Sequence, residues 1–190
     1  VLSSTDAASV FSILRSRKLS LKYGTASLLE VESGSNDPVA YLMTTILLTM
    51  MTTEISPGRI VYMIFAQIAY GVVIGAALAL AIGFFLRRFR FETSGFDMVF
   101  MLATAILAYV LPCLIGGNGY LSAYIAGIIL GNLKIPNKKK QVHFFDGITS
   151  LMQLMVFFLL GLLCTPSRMF SVALPALLIA VFLTFLARPV

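Results

Sequence analysis

Tryptophan is absent from this 190-residue chain, histidine occurs once and cysteine twice. A single histidine, His143, leaves most hydrolase schemes without a base, and no phosphate loop, zinc-ligand spacing or Ser–His–Asp set is present. Two cysteines 51 positions apart, Cys113 and Cys164, build no disulfide framework. Charge is scarce as well: 12% of residues are charged, against roughly a quarter in an ordinary soluble domain. There is no long polar or low-complexity tract, which excludes intrinsic disorder. What fills the chain is apolar: 59% of its residues, with a mean hydropathy of +0.96. A water-soluble fold of this composition would expose one continuous apolar patch. The composition therefore points to a polytopic membrane protein. At about 20 residues per span plus short loops, the length allows six or seven spanning helices.

The formal net charge is +6. In a soluble protein this would suggest nucleic acid, but here the bases sit between apolar runs and read as membrane topology, with no nucleic-acid partner. The chain opens on Val1 without a methionine and closes at Val190 within or at the end of an apolar run. From this we expect an internal piece of a longer protein.

Seven apolar segments are expected: a half-helix over 1–17 (apolar over 1–14), then spans over about 25–53, 60–86, 97–115, 119–133, 144–164 and 169–190. Period-2 alternation is absent, so these read as helices and not as barrel strands. The segment at 119–133 is short. The loops alternate in charge. Arg15, Arg17, Lys18 and Lys22 fall in loop 15–24; Arg87, Arg88 and Arg90 in loop 87–96; Lys134, Lys138, Lys139 and Lys140 in loop 134–143. The intervening connections hold only Arg59 and Arg168, so the split is eleven bases against two. The positive-inside rule places the basic loops in the cytoplasm.

Two segments carry small residues at i, i+4 spacing: Gly71, Gly75, Ala79 and Gly83, and then Ala123, Gly127 and Gly131. Such faces let helix backbones approach closely in lipid. Phe84, Phe85, Phe89 and Phe91, beside a basic loop, fit an interfacial aromatic belt.

Ionisable groups inside apolar spans are costly and are the first candidates for function. Asp6 follows Ser3-Ser4-Thr5 and lies nine residues before Arg15, or about 14 Å of helix. An N-cap is the competing reading, but cap and function are compatible, and the mid-membrane ion site is the favoured one, since a half-helix beginning inside the bilayer presents unpaired backbone groups. Asp37 lies in Glu32-Ser33-Gly34-Ser35-Asn36-Asp37-Pro38, twelve residues past Thr25, or about 18 Å deep. A loop is the competing reading of this stretch. Only about 15 residues remain from Pro38 to Thr53, too few to span alone, so the span must include Asp37. Pro38, lacking an N–H, is expected to free a carbonyl near Asn36 and Asp37. Two carboxylates at one depth, among Thr, Ser and Asn oxygens, suit a hard cation. One group that holds either a proton or an alkali cation, but not both, is enough for exchange. Arg188 and Glu32 reach similar depths and are placed for an ion pair; snorkelling to the interface is the alternative for Arg188. His143 reads as a solvated loop residue, Cys113 and Cys164 as small buried residues, and Glu30, Glu54, Glu92, Asp97 and Asp146 as solvated groups at or near loops.

At these positions the chain resembles a known family. Ser4-Thr5-Asp6-Ala7-Ala8-Ser9-Val10-Phe11-Ser12 and Leu29-Glu30-Val31-Glu32-Ser33-Gly34-Ser35-Asn36-Asp37-Pro38 are similar to segments of NhaP-type monovalent cation:proton antiporters, nearest the bacterial potassium/proton branch. Gly119-Tyr120-Leu121-Ser122-Ala123-Tyr124-Ile125-Ala126-Gly127 and Phe158-Leu159-Leu160-Gly161-Leu162 resemble later family segments. The resemblance implies an all-α polytopic membrane bundle, a partial cation:proton antiporter fold with an interrupted core helix broken at Thr5 and Asp6. It implies that Asp37 alternately binds proton and cation, that Asp6, Thr5 and Ser33 surround the cation, and that Asn36 stands where electrogenic relatives carry a second aspartate, which suggests electroneutral exchange. Glu32 and Arg188 would form a buried structural pair. About half of the family's helices and its cytosolic regulatory domain would be missing here.

The expectation is therefore a secondary antiporter, not an enzyme and without a cofactor. It would exchange potassium or sodium for protons by alternating access, in a bacterial inner membrane, as a homodimer when full-length. A passive cation channel is the first alternative, though no repeated filter sequence is visible. An intramembrane aspartyl protease is the second, but Thr5-Asp6 and Ser35-Asn36-Asp37 do not match the Tyr-Asp and Gly-x-Gly-Asp that such chemistry uses.

Overall fold

The computed structural model describes residues 25–54, 56–89, 95–135 and 137–187. Thr5, Asp6 and Arg188, with the half-helix over 1–17 and the bases of loop 15–24, lie outside the described residues. Those described form helices and connections, with no strand among them: α1 Thr25–Thr52, α2 Pro57–Arg88, α3 Phe96–Leu114, α4 Gly119–Asn132, α5 Lys138–Leu163 and α6 Pro166–Phe182, the last continuing as a π turn over Leu183–Ala187. By length and apolar composition α2, α3 and α5 are each able to cross a membrane. α4 has 14 residues, about 21 Å, which is less than the roughly 30 Å of hydrocarbon.

Several helix ends follow from local chemistry. Pro57 at the first turn of α2 fixes a helical φ where no N–H is needed. α3 closes on Gly116, at φ +81°, a left-handed conformation that costs glycine little. Gly117 N–H then donates to Pro112 O at 2.7 Å and Gly116 N–H to Cys113 O at 3.3 Å, which satisfies the last carbonyls of the helix. Asn118 caps α4, its side chain accepting from Leu121 N–H at 3.1 Å. α5 begins at Lys138, six residues ahead of the apolar run, so His143 and the three consecutive lysines are helical and not in a loop. Lys and Gln are good helix formers, and a helix does not stop where the bilayer does.

The chain divides into two compact units, residues 1–141 and 142–190. In the second, Leu154, Phe158, Leu163 and Leu178 are all exposed, as on a surface that hydrocarbon covers. In the first, α4 is central: it packs on α1, α2 and α3, most extensively on α2. Gly71, Gly75, Ala79 and Gly83 are buried along α2, as their spacing predicts. A Cβ on Gly75 would lie 2.5 Å from Ser122 O, and one on Gly71 2.9 Å from Asn118 O. The second small-residue face is different. The packed stripe of α4 is Ser122, Ala126 and Leu130, one residue out of step with Ala123, Gly127 and Gly131. Gly127 and Gly131 have open space beside them among the described residues. A one-residue step turns a helix by about 100°, enough to move a stripe off the contact.

The contacts also set directions. Gly71 meets Asn118 while Gly83 meets Leu130 and Leu133, so α2 and α4 run parallel. Tyr124 reaches back to Val31 and Asn118 to Pro38, so α1 and α4 run antiparallel. α4 starts beside Gln67, whose carbonyl accepts from Asn118 N–H at 3.1 Å. That is ten residues into α2 from Pro57, or about 15 Å along it.

Candidate functional site

α1 is one continuous helix through the motif, with Pro38 inside it. The loop reading of 32–38 is thereby excluded. Its second half disposes of its own polar groups. Thr44, Thr45, Thr49 and Thr52 each return a hydroxyl to a carbonyl three or four residues back, at 2.6–2.9 Å. The first half concentrates the remaining polarity. Ser33, Asn36 and Asp37 stand at i, i+3 and i+4 and share one face. Ser33 is buried at 2% exposure, Asn36 is half-buried and Asp37 is exposed. The face thus runs from the packed side of α1 to its open side. Glu32 is exposed and lies about 100° around the helix from Ser33; its carbonyl accepts from Ser35 Oγ at 2.9 Å.

The carbonyl that Pro38 deprives of its helix donor is that of Gly34, four residues back, and not one near Asn36 or Asp37. Gly34 also faces a side chain of α4. A Cβ there would lie 2.7 Å from Tyr124 Cε2, so only a glycine admits this ring without displacement. Tyr124 OH then donates to Val31 O at 3.1 Å. At the other end Asn118 Nδ2 donates to Pro38 O at 3.0 Å. Tyr120 sits between Tyr41 of α1, tilted at 57° with ring centroids 4.6 Å apart, and Tyr109 of α3, edge-on at 5.1 Å. Sequence reasoning missed Asn118, Tyr120 and Tyr124 as neighbours of the site. Asn after paired glycines and before an apolar run is a capping signal, but nothing local reveals its second bond.

The other candidates separate from this face. Cys113 and Cys164 are exposed, not buried, because the helix faces that carry them are left uncovered by the described residues. Asp97 is half-buried in the first turn of α3 and accepts from Asn137 Nδ2 at 3.3 Å. His143, Glu54 and Asp146 are exposed. Among the described residues no group of three or more His, Cys, Asp or Glu is placed to hold a resident metal ion.

These features define a class first: a multi-pass, all-helical membrane protein with a carboxylate set into a proline-containing helix. The chain belongs to the sodium/hydrogen exchanger transmembrane family, which matches residues 1–190. That is a family of transporters and not of enzymes. The chain is 37% identical over 193 residues to the K(+)/H(+) antiporter NhaP of Alkalimonas amylolytica, covering 100% of this chain and 33% of that protein. It is 33% identical over 195 residues to the K(+)/H(+) antiporter NhaP2 of Shewanella oneidensis, with the same coverage. A probable Na(+)/H(+) antiporter 2 of Methanocaldococcus jannaschii is 26% identical over 201 residues, covering 100% of this chain and 47% of its own. The chain spans about a third of the length of its potassium/proton relatives. No solved structure matches.

Proposed function

We propose that this chain supplies the cation- and proton-binding helix of a monovalent cation/proton antiporter that works by alternating access. The observation that carries the reading is the Ser33, Asn36 and Asp37 face: one carboxylate and two neutral oxygen-bearing side chains on one continuous helix. Asp37 holds either a proton or the cation. Ser33 offers a further oxygen, and Asp6 and Thr5 complete the site from the preceding segment. Asn36, a neutral residue beside Asp37, favours electroneutral one-for-one exchange. Glu32 and Arg188 form a structural ion pair; an unpartnered charge in the bilayer would be costly. The names of the potassium/proton relatives support potassium as the cation, with sodium the alternative that one relative's name supports. The alternation of basic and base-poor loops supports a bacterial inner membrane orientation with 15–24, 87–96 and 134–143 cytoplasmic. The resemblance to the family supports a homodimer for the full-length protein.

The test uses the full-length protein in everted membrane vesicles. A preset pH gradient is challenged with potassium and with sodium, wild type beside Asp37→Asn. Wild type should collapse the gradient, and Asp37→Asn should lose at least about a hundredfold of that rate, because the amide neither binds the proton nor carries the charge that the cation needs. Normal exchange by Asp37→Asn would end this reading. Cation flux without proton movement would favour a channel.

A further inference from the structure

Every described residue of the proposed cation site lies between Val31 and Pro38, and one neighbouring helix holds that segment at both ends. Tyr124 OH donates to the Val31 carbonyl at 3.1 Å and Asn118 Nδ2 to the Pro38 carbonyl at 3.0 Å. The two acceptors are seven residues apart, about two helical turns, and Ser33, Asn36 and Asp37 fall within them. Between them the helix is missing one of its own bonds, because Pro38 has no N–H to give to Gly34. A helix weakened in this way bends or twists more easily unless neighbours hold it. Here the two external donors sit on either side of the weak turn, and the Tyr124 ring lies across Gly34 itself.

We propose that Asn118 and Tyr124 are positioning residues for the cation site. They fix the rotation and spacing of the Ser33, Asn36 and Asp37 face without touching the ion. The inference rests on the reading of Asp37 as the ion-binding carboxylate. Asn118 is the stronger of the two. It is 1% exposed and bonds to three elements: Oδ1 accepts from Leu121 N–H in α4, Nδ2 donates to Pro38 O in α1, and its own N–H donates to Gln67 O in α2. Capping alone does not require this residue, since serine caps a helix about as well. Serine has no amide to extend to Pro38. The bond to α1 is therefore a separate property of the asparagine, and it can be removed separately.

The experiment compares Asn118→Ser, which keeps the cap and loses the donor, with Tyr124→Phe, which loses only the hydroxyl, in the full-length protein in proteoliposomes. Leu130→Ala is the control: buried on the same helix, three turns further along. Half-saturating potassium concentration and maximal rate per inserted molecule are measured apart. Asn118→Ser and Tyr124→Phe should each raise the half-saturating concentration about three- to tenfold, as expected for one lost hydrogen bond near the site. Leu130→Ala should lower the amount of inserted protein and leave half-saturation unchanged. If Asn118→Ser does not insert, Tyr124→Phe decides alone. Unmoved half-saturation in Tyr124→Phe and in any inserted Asn118→Ser overturns the inference, and so does an equal shift in Leu130→Ala. No exchange by the wild type overturns the antiporter reading, and this inference with it; exchange by the wild type with unmoved variants overturns this inference only.

Discussion

Single polar side chains in the first unit have three fates. Thr44, Thr49, Thr52 and Thr104 give their hydroxyls to the carbonyl four residues back, which neutralises them for life in hydrocarbon. Asn118 and Tyr124 donate to another helix instead. Ser122 does neither: it is fully buried, and its Oγ has no hydrogen-bond partner among the described residues. A buried hydroxyl without a partner costs more than it contributes. Ser122→Ala is therefore expected to leave the thermal unfolding of the detergent-solubilised full-length protein unchanged, or to stabilise it by about 1 kcal/mol. A loss of that size would show that the hydroxyl has a partner. At this scale the sequence tells half of the candidate site's surroundings. Ser33, Asn36 and Asp37 are legible because a carboxylate inside an apolar run has to be explained. Asn118 and Tyr124 are not, because their acceptors lie 80 and 93 positions away and are backbone carbonyls, which leave no trace in residue type.

Among elements, the helix pair α2 and α4 fixes the first unit, and its contact rests on glycine. Gly75 faces Ser122 backbone, which cannot rotate aside as a side chain can. Gly75→Ala should cost about 1–3 kcal/mol of unfolding free energy, the usual penalty for overpacking a tight contact. Gly127→Ala is the matching control. With open space beside it, and alanine the better helix former, it should be neutral or stabilise by about 0.5–1 kcal/mol. Thermal melts of the two variants side by side decide; equal destabilisation would mean that both stripes are packed. The i, i+4 repeat marks both stripes equally in the sequence, so the pattern finds small faces but not the one in use. Ser122, Ala126 and Leu130 look less like a small-residue face than Ala123, Gly127 and Gly131 do, yet they face α2. The length of α4 has a similar cause. Its 14 residues are short for a span, and it begins beside Gln67 and Pro38, well along its neighbours, where the α3 turn delivers it.

For the whole molecule, helix direction was the most legible property. The strict alternation of basic and base-poor connections requires α1 antiparallel to α4 and α2 parallel to α4, and the contacts of Asn118, Tyr124 and the α2 glycines have those senses. The proposed mechanism adds one constraint to this frame, which is that the two ions compete for a single carboxylate. Cation binding then requires proton loss, so apparent cation affinity depends on pH. At low pH the proton occupies the site, and more potassium is needed to displace it. At high pH protons are too scarce to return through it. The rate in the full-length protein should be bell-shaped in pH, and raising potassium should shift the acidic limb to lower pH while leaving the alkaline limb where it is. Half-saturating potassium should rise about tenfold for each unit of pH on the acidic side, the slope of one proton competing with one cation. The measurement is initial exchange rate across a grid of pH and potassium in proteoliposomes. A half-saturating concentration that does not change with pH would mean that proton and cation occupy separate sites, and a single exchanging carboxylate at Asp37 would then be the wrong mechanism.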